Sequence, residues 1–177
     1  MKEILLLEYE KLKDEQRVRI SFRENLFYIA LIVVGAVFSA LLTMPVTDFA
    51  YLALTPVLFI ISNAYYNNDE IIARMNVYVR ENLAPRLAAA TGLKAEELFQ
   101  WEGFTRSGGR PRRRLYQLAA NLALYPGAST AALAFFVSRR IQLSQAETIG
   151  VFICALITAL MLIQVLHYAD VLGRKSR

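Results

Sequence analysis

One histidine, His167, stands three residues before Asp170. On a helix that spacing places both on one face, where an imidazole and a carboxylate can relay a proton. The plainer reading is a ring lodged among lipid headgroups at the end of an apolar run. The single cysteine, Cys154, has no CxxC or Cys/His companion. Neither an internal disulfide nor a thiolate metal site is expected. The chain carries no GxxxxGK[ST] phosphate loop, GxSxG elbow, HExxH or GxGxxG, so the commonest phosphate, acyl-transfer, zinc and dinucleotide chemistries have no signature. No catalytic residue, cofactor or metal is expected, and the chain reads as a non-enzyme.

The uncharged polar residues are more informative. Asn63 and Asn67 are four apart, and Glu70 and Arg74 continue the same helical face; Asn121 and Gln164 lie in two other apolar stretches. Amides in lipid hydrogen-bond to neighbouring helices, or they line a polar path through an oligomer. Both readings apply here. Ala119, Ala123, Gly127 and Ala131 form an unbroken small-xxx-small row, which lets another helix approach closely in lipid. Gly150 and Cys154 form a shorter one. Arg110, Arg112, Arg113 and Arg114 make a basic cluster against an apolar run. Beside a span, such a cluster is a cytoplasmic stop signal and a contact for anionic lipid rather than nucleic acid.

These residues sit on four charge-free blocks. Asn25–Thr47 and Phe49–Asn68 are separated only by Asp48, and Leu115–Ser138 and Thr148–Ala169 follow. Each meets the length of about 20 mostly apolar residues needed to cross hydrocarbon. The short Met44–Asp48 connection makes the first two an antiparallel hairpin. The chain is 177 residues, 56% apolar and 20% charged; the apolar residues are gathered in blocks rather than dispersed in amphipathic patterns. The first 24 residues are densely charged with both signs, so the first span reads as an uncleaved anchor.

Met1–Glu24 contains no Gly or Pro, and Leu5, Tyr9 and Leu12 recur at helical spacing. One helix is expected to run from the start of the chain through the first span, with about 36 Å of it outside the membrane. The second span continues likewise: Ile72, Met75, Val79 and Leu83 lie on one face. Packing the two extensions together would bury both stripes. Pro85 should end or kink that helix. Residues 95–101 (AEELFQW) read as a short amphipathic piece, 103–111 (GFTRSGGRP) as a loop, and Pro126-Gly127 as a kink in the third span. The segments expected are thus 1–24, 25–68, 69–114, 115–169 and 170–177.

Eighteen of the 20 Lys and Arg fall on the side of both termini and the 69–114 segment, and two on the other. The positive-inside bias places the termini in the cytoplasm. Phe27, Tyr28, Tyr65, Tyr66, Tyr116 and Tyr168 fall near the cytoplasmic span ends, where an aromatic belt belongs.

The opening LLLEYEKLKDEQRVRISFREN, the hairpin, and NNDEIIARMNVYVRENLAPRL after it resemble a group of small bacterial integral membrane proteins common in actinobacteria. The layout is also similar to the SLATT and related four-span effectors of bacterial conflict systems. That resemblance covers residues 1–90 and implies a pore-forming effector triggered by a sensor partner. The expectation is an all-α polytopic membrane protein with four transmembrane helices and cytoplasmic helical extensions of the first two. It would be a homo-oligomeric inner-membrane effector, gated through those extensions by a cytosolic sensor or signalling protein. The alternative is an adaptor that binds a cytosolic partner without a pore. No nucleic-acid partner is expected.

Overall fold

The computed structural model describes residues 2–43, 49–93, 98 and 111–174, with side chains throughout save at 41–43, 111–114 and 169–174. The turn at 44–48, the segment around Trp101, the 103–110 loop with Arg110, and the last three residues lie outside the described residues. Among those described, every regular element is helical. Helix α1 is Lys2–Thr43 and α2 is Phe49–Tyr78, extended by a wide π turn at Val79–Leu83 into α3, Ala84–Thr91. Helix α4, Pro111–Leu122, runs through a second π turn at Ala123–Gly127 into α5, Ala128–Ser138; α6 is Gln145–Arg174. Four helical runs are long and apolar enough to cross a membrane by length and composition: Lys2–Ala40, Phe49–Thr91, Leu115–Ser138 and Gln145–Tyr168. Four such helices suggest a multi-pass membrane protein, all-helical among the described residues.

Pro56, Pro85 and Pro126 do not end their helices. Each removes the N–H that would bond to the carbonyl four residues back, and the structure accommodates that loss in two ways. At Pro85 and Pro126 the helix widens by one residue per turn, so that the Ala84 N–H reaches the Val79 carbonyl and the Ala128 N–H reaches the Ala123 carbonyl. At Pro56, inside α2, the freed carbonyl is that of Leu52, and the Cys154 thiol of α6 donates to it at 3.5 Å. After α3 the chain stops at Gly92, whose left-handed φ of 73° and N–H bond to the Ala88 carbonyl make a helix C-cap. Helix α6 opens on a capping box: the Ser144 N–H donates to the Glu147 carboxylate at 2.8 Å, and the Glu147 N–H to the Ser144 hydroxyl at 3.3 Å.

The chain divides into two units, residues 1–24 with 67–111, and residues 25–66 with 112–177. The first is a charged helix pair. Leu5, Val79, Leu83 and Leu87 form its buried core, with Tyr9, Leu12, Tyr78 and Leu98 packed around them. Leu5, Tyr9 and Leu12 of the first stripe therefore meet Val79 and Leu83 of the second in one core. Polar bonds fasten the same pair. Arg23 is ion-paired with Asp69, with side chains 23% and 12% exposed. The Asn68 amide donates to the Arg19 carbonyl at 2.5 Å, Gln16 to Asn76 at 2.8 Å, and the Tyr78 hydroxyl to Glu8 at 2.5 Å.

The second unit is an apolar bundle of four helical runs. Ala30 of α1, Leu54 and Leu58 of α2, Tyr125, Ala132 and Phe136 of the third run, and Met161 of α6 form its principal core. Its outer surface is apolar: Ile32 and Ile60 are each 68% exposed and Phe152 71%. Only 17% of the apolar window of α6 is buried. A surface of this kind is stable where the solvent is lipid.

Candidate functional site

The bundle interior contains a layer of phenols and amides. The rings of Tyr65 and Tyr66 meet edge to face at 5.2 Å; each lies against Tyr125, at 6.0 and 6.3 Å, and Tyr66 packs on Tyr168 at 5.0 Å. Leu26, Val165, Leu118 and Leu122 close the layer. Two amide bonds cross it: Gln164 donates to the Asn63 side-chain oxygen at 3.1 Å, and Gln117 to the Tyr65 hydroxyl at 3.2 Å. Asn63 also donates to the Phe59 carbonyl at 2.8 Å.

Helix repeat builds this layer. Gln117, Asn121, Tyr125 and Ser129 are spaced by four and fall on the inward side of the third run. Gln117 is exposed, Asn121 is 6% exposed, and Tyr125 and Ser129 are fully buried. Gln164 and Tyr168 are likewise four apart on α6. Several oxygens in and beside the layer are sealed from solvent with no protein partner: Asn121 Oδ1, the Tyr125 hydroxyl, Ser129 Oγ, Gln164 Oε1 and the Tyr168 hydroxyl. A buried polar atom left with no partner of any kind costs about 1–3 kcal/mol. In the sequence Asn121 and Gln164 stand out only singly. The repeat of four that joins Asn121 to Gln117, Tyr125 and Ser129 was the signal that would have found the rest.

The four polar residues of the second span separate. Asn63 lies in the bundle, bonded to Gln164. Asn67, Glu70 and Arg74 belong to the helix pair and are exposed. Arg74 is bonded to Glu70 at 2.7 Å, one turn away. Tyr65 and Tyr66 are core residues, 5% and 4% exposed, rather than part of a belt; Tyr28 and Tyr116, 59% and 74% exposed, occupy the outer surface. His167 is exposed, and the Asp170 side chain lies outside those described. Among the described residues no cluster of His, Cys, Asp or Glu is arranged to hold a metal ion.

The two small-residue rows differ in direction. Gly150 and Cys154 face α2: a Cβ on Gly150 would stand 3.4 Å from the Leu52 side chain, and Cys154 is buried against the Leu52 carbonyl. Ala119, Ala123 and Gly127 are exposed and Ala131 half-buried, on the side of the third run away from Leu124, Tyr125, Ala132 and Phe136. Gly127 has a further constraint. A Cβ there would stand 2.8 Å from the Leu122 carbonyl oxygen of its own π turn, so the local backbone requires glycine whatever packs outside. Arg112, Arg113 and Arg114 lie in the first turn of α4, with side chains outside those described.

Compared with protein-family models, curated proteins and solved structures, the chain matches none.

Proposed function

We propose that the protein is a non-enzymatic inner-membrane effector that acts by association. Copies pair in the bilayer through the third run, and a cytosolic partner engages the charged helix pair. The output is a perturbed or permeable membrane. The observation that carries this reading is the outward small-residue row. Without a hydrophobic force between helices in lipid, close backbone approach is what makes one helix prefer another over lipid, and the row supplies four positions for it. The helix pair supports the second contact. Beyond its own core, α1 carries Ile4, Leu7, Val18 and Phe22, between 52% and 68% exposed, an unusual load for a helix otherwise rich in charge. The charge bias of eighteen to two supports cytoplasmic termini, with Arg110, Arg112, Arg113 and Arg114 against anionic headgroups at about 1 kcal/mol each.

The second reading is an adaptor that binds its cytosolic partner without opening a path. The Gln164–Asn63 bond favours it, because it uses within one subunit an amide that a shared pore would need. Controlled expression separates the two. Growth arrest with entry of a membrane-impermeant dye supports the effector. Neutral growth with a soluble protein co-purifying through the helix pair supports the adaptor.

A further inference from the structure

We infer that the phenol–amide layer is a binding site for a partly dehydrated monovalent cation, entered from the Gln117 end of the bundle. Asn121 lies on the third run between two fixed points. One turn before it Gln117 bonds Tyr65, and one turn after it Tyr125 lies against Tyr65 and Tyr66. From α6, Gln164 reaches the same layer through Asn63, and Tyr168 through Tyr66. The result is a set of neutral oxygens, Asn121 Oδ1, Gln164 Oε1 and the hydroxyls of Tyr125 and Tyr168, each closed to solvent and without a protein partner.

The chemistry of that set selects the ligand. Divalent cations of the calcium and magnesium type take carboxylates as their usual ligands, and the layer contributes none. An anion needs donors throughout its shell; the two amide oxygens of the set only accept, whereas the two hydroxyls present oxygen lone pairs to a cation as readily as they donate. Neutral carbonyl and hydroxyl oxygens in a dry site are the groups that replace the hydration shell of sodium or potassium. Exposure falls from Gln117 through Asn121 to Tyr125 and Ser129, so this polar face is open at the Gln117 end and closed at the other. Bound water alone could satisfy the same oxygens, and the experiment decides between the two.

The full-length protein, in detergent or nanodiscs, is unfolded by heat in sodium chloride, potassium chloride or N-methylglucamine chloride at equal ionic strength. A site predicts a saturable rise of the midpoint, about 5 °C at a hundredfold excess over Kd, in sodium, potassium or both and absent in N-methylglucamine. Tyr125→Phe keeps the ring packing and removes one oxygen; it should raise the half-saturating concentration about tenfold. Asn121→Leu should abolish the shift. Equal midpoints in all three salts would overturn the site, leaving water as the occupant. So would a shift that Tyr125→Phe retains at unchanged half-saturation, because the ion would then act elsewhere.

Discussion

Helices α1 and α2 contribute to both units of the molecule and are joined differently in each. In the charged pair, charged and polar side chains surround the contact. The core is a short row of leucine and valine around Leu5, Val79, Leu83 and Leu87, flanked by bonds between side chains far apart in sequence, Arg23 to Asp69 and Gln16 to Asn76. In the bundle the outer surface also carries large apolar side chains, and in a bilayer apolarity itself would select no partner. What selects there is shape, at Ala30, Leu58 and Phe136, and a few amides and phenols that bond only when the correct helices meet. With the bundle in lipid and the pair in water, as proposed, the same two helices would rely on the hydrophobic effect in one unit and on packing with sparse polar contacts in the other.

Leu83 and Leu58, both 0% exposed, break or sharpen that contrast most strongly. Leu83→Ala should destabilise the helix pair by about 3 kcal/mol, because transfer and cavity terms both act in water. Leu58→Ala should cost the bundle only about 1–2 kcal/mol, since in lipid the transfer term vanishes and lost dispersion contacts remain. Hydrogen exchange of the extension backbones measures the first, and helix dissociation within a bilayer the second. Equal costs would mean that the two units share one solvent.

Asp69→Ala comes next. It leaves Arg23, only 23% exposed in the pair, without its partner. Loss of about 2 kcal/mol is expected, below the range for a fully buried pair because some screening remains. Proteolysis of the helix pair should quicken while the bundle stays intact. Exposed pairs such as Glu70–Arg74 should give almost nothing when broken.

Much of this architecture is legible in the sequence. Charge-free blocks mark the spans because a buried charge is costly in lipid, and the stripes Leu5–Leu12 and Ile72–Leu83 mark the helix pair because their period matches one helical face. The π turns are not legible. A proline signals a missing bond, and whether the chain kinks, stops or widens depends on what else can take the freed carbonyl. The sidedness of the small-residue rows is hidden for a related reason. A row of alanine and glycine has a period but no sign, and only large neighbours such as Tyr125 and Phe136 fix which way it turns. The four-residue repeat from Gln117 to Ser129 was present in the sequence, but its meaning required knowing that Tyr65 and Gln164 lie opposite.

Smaller effects remain. Asn63→Leu should cost the bundle about 0.6 kcal/mol, the usual worth of an interhelical side-chain hydrogen bond in lipid, measured by the same dissociation assay. The Glu8 carboxylate that accepts from Tyr78, aided by desolvation, raises the Tyr78 pKa above its ordinary 10.0. The folded state therefore holds the phenol proton more tightly than the unfolded chain. That contribution to the helix pair is complete below pH 10 and fades as pH rises through the raised value. Ultraviolet titration of phenolate should show that Glu8→Gln moves one late-ionising tyrosine back toward its ordinary range.

The central claim is self-association through the outward face of the third run. Gly127 is the wrong place to test it, because any side chain there meets the Leu122 carbonyl and disturbs the helix itself. Ala123, exposed on the same row, is the clean position. Ala123→Cys in a Cys154→Ser background, oxidised in native membranes, should give a disulfide-linked dimer of the full chain. Ala123→Leu should reduce the oligomer to monomer in nanodiscs without changing its helix content. A monomer in the first experiment, with unchanged mass in the second, would show that the row faces only lipid and would contradict the account.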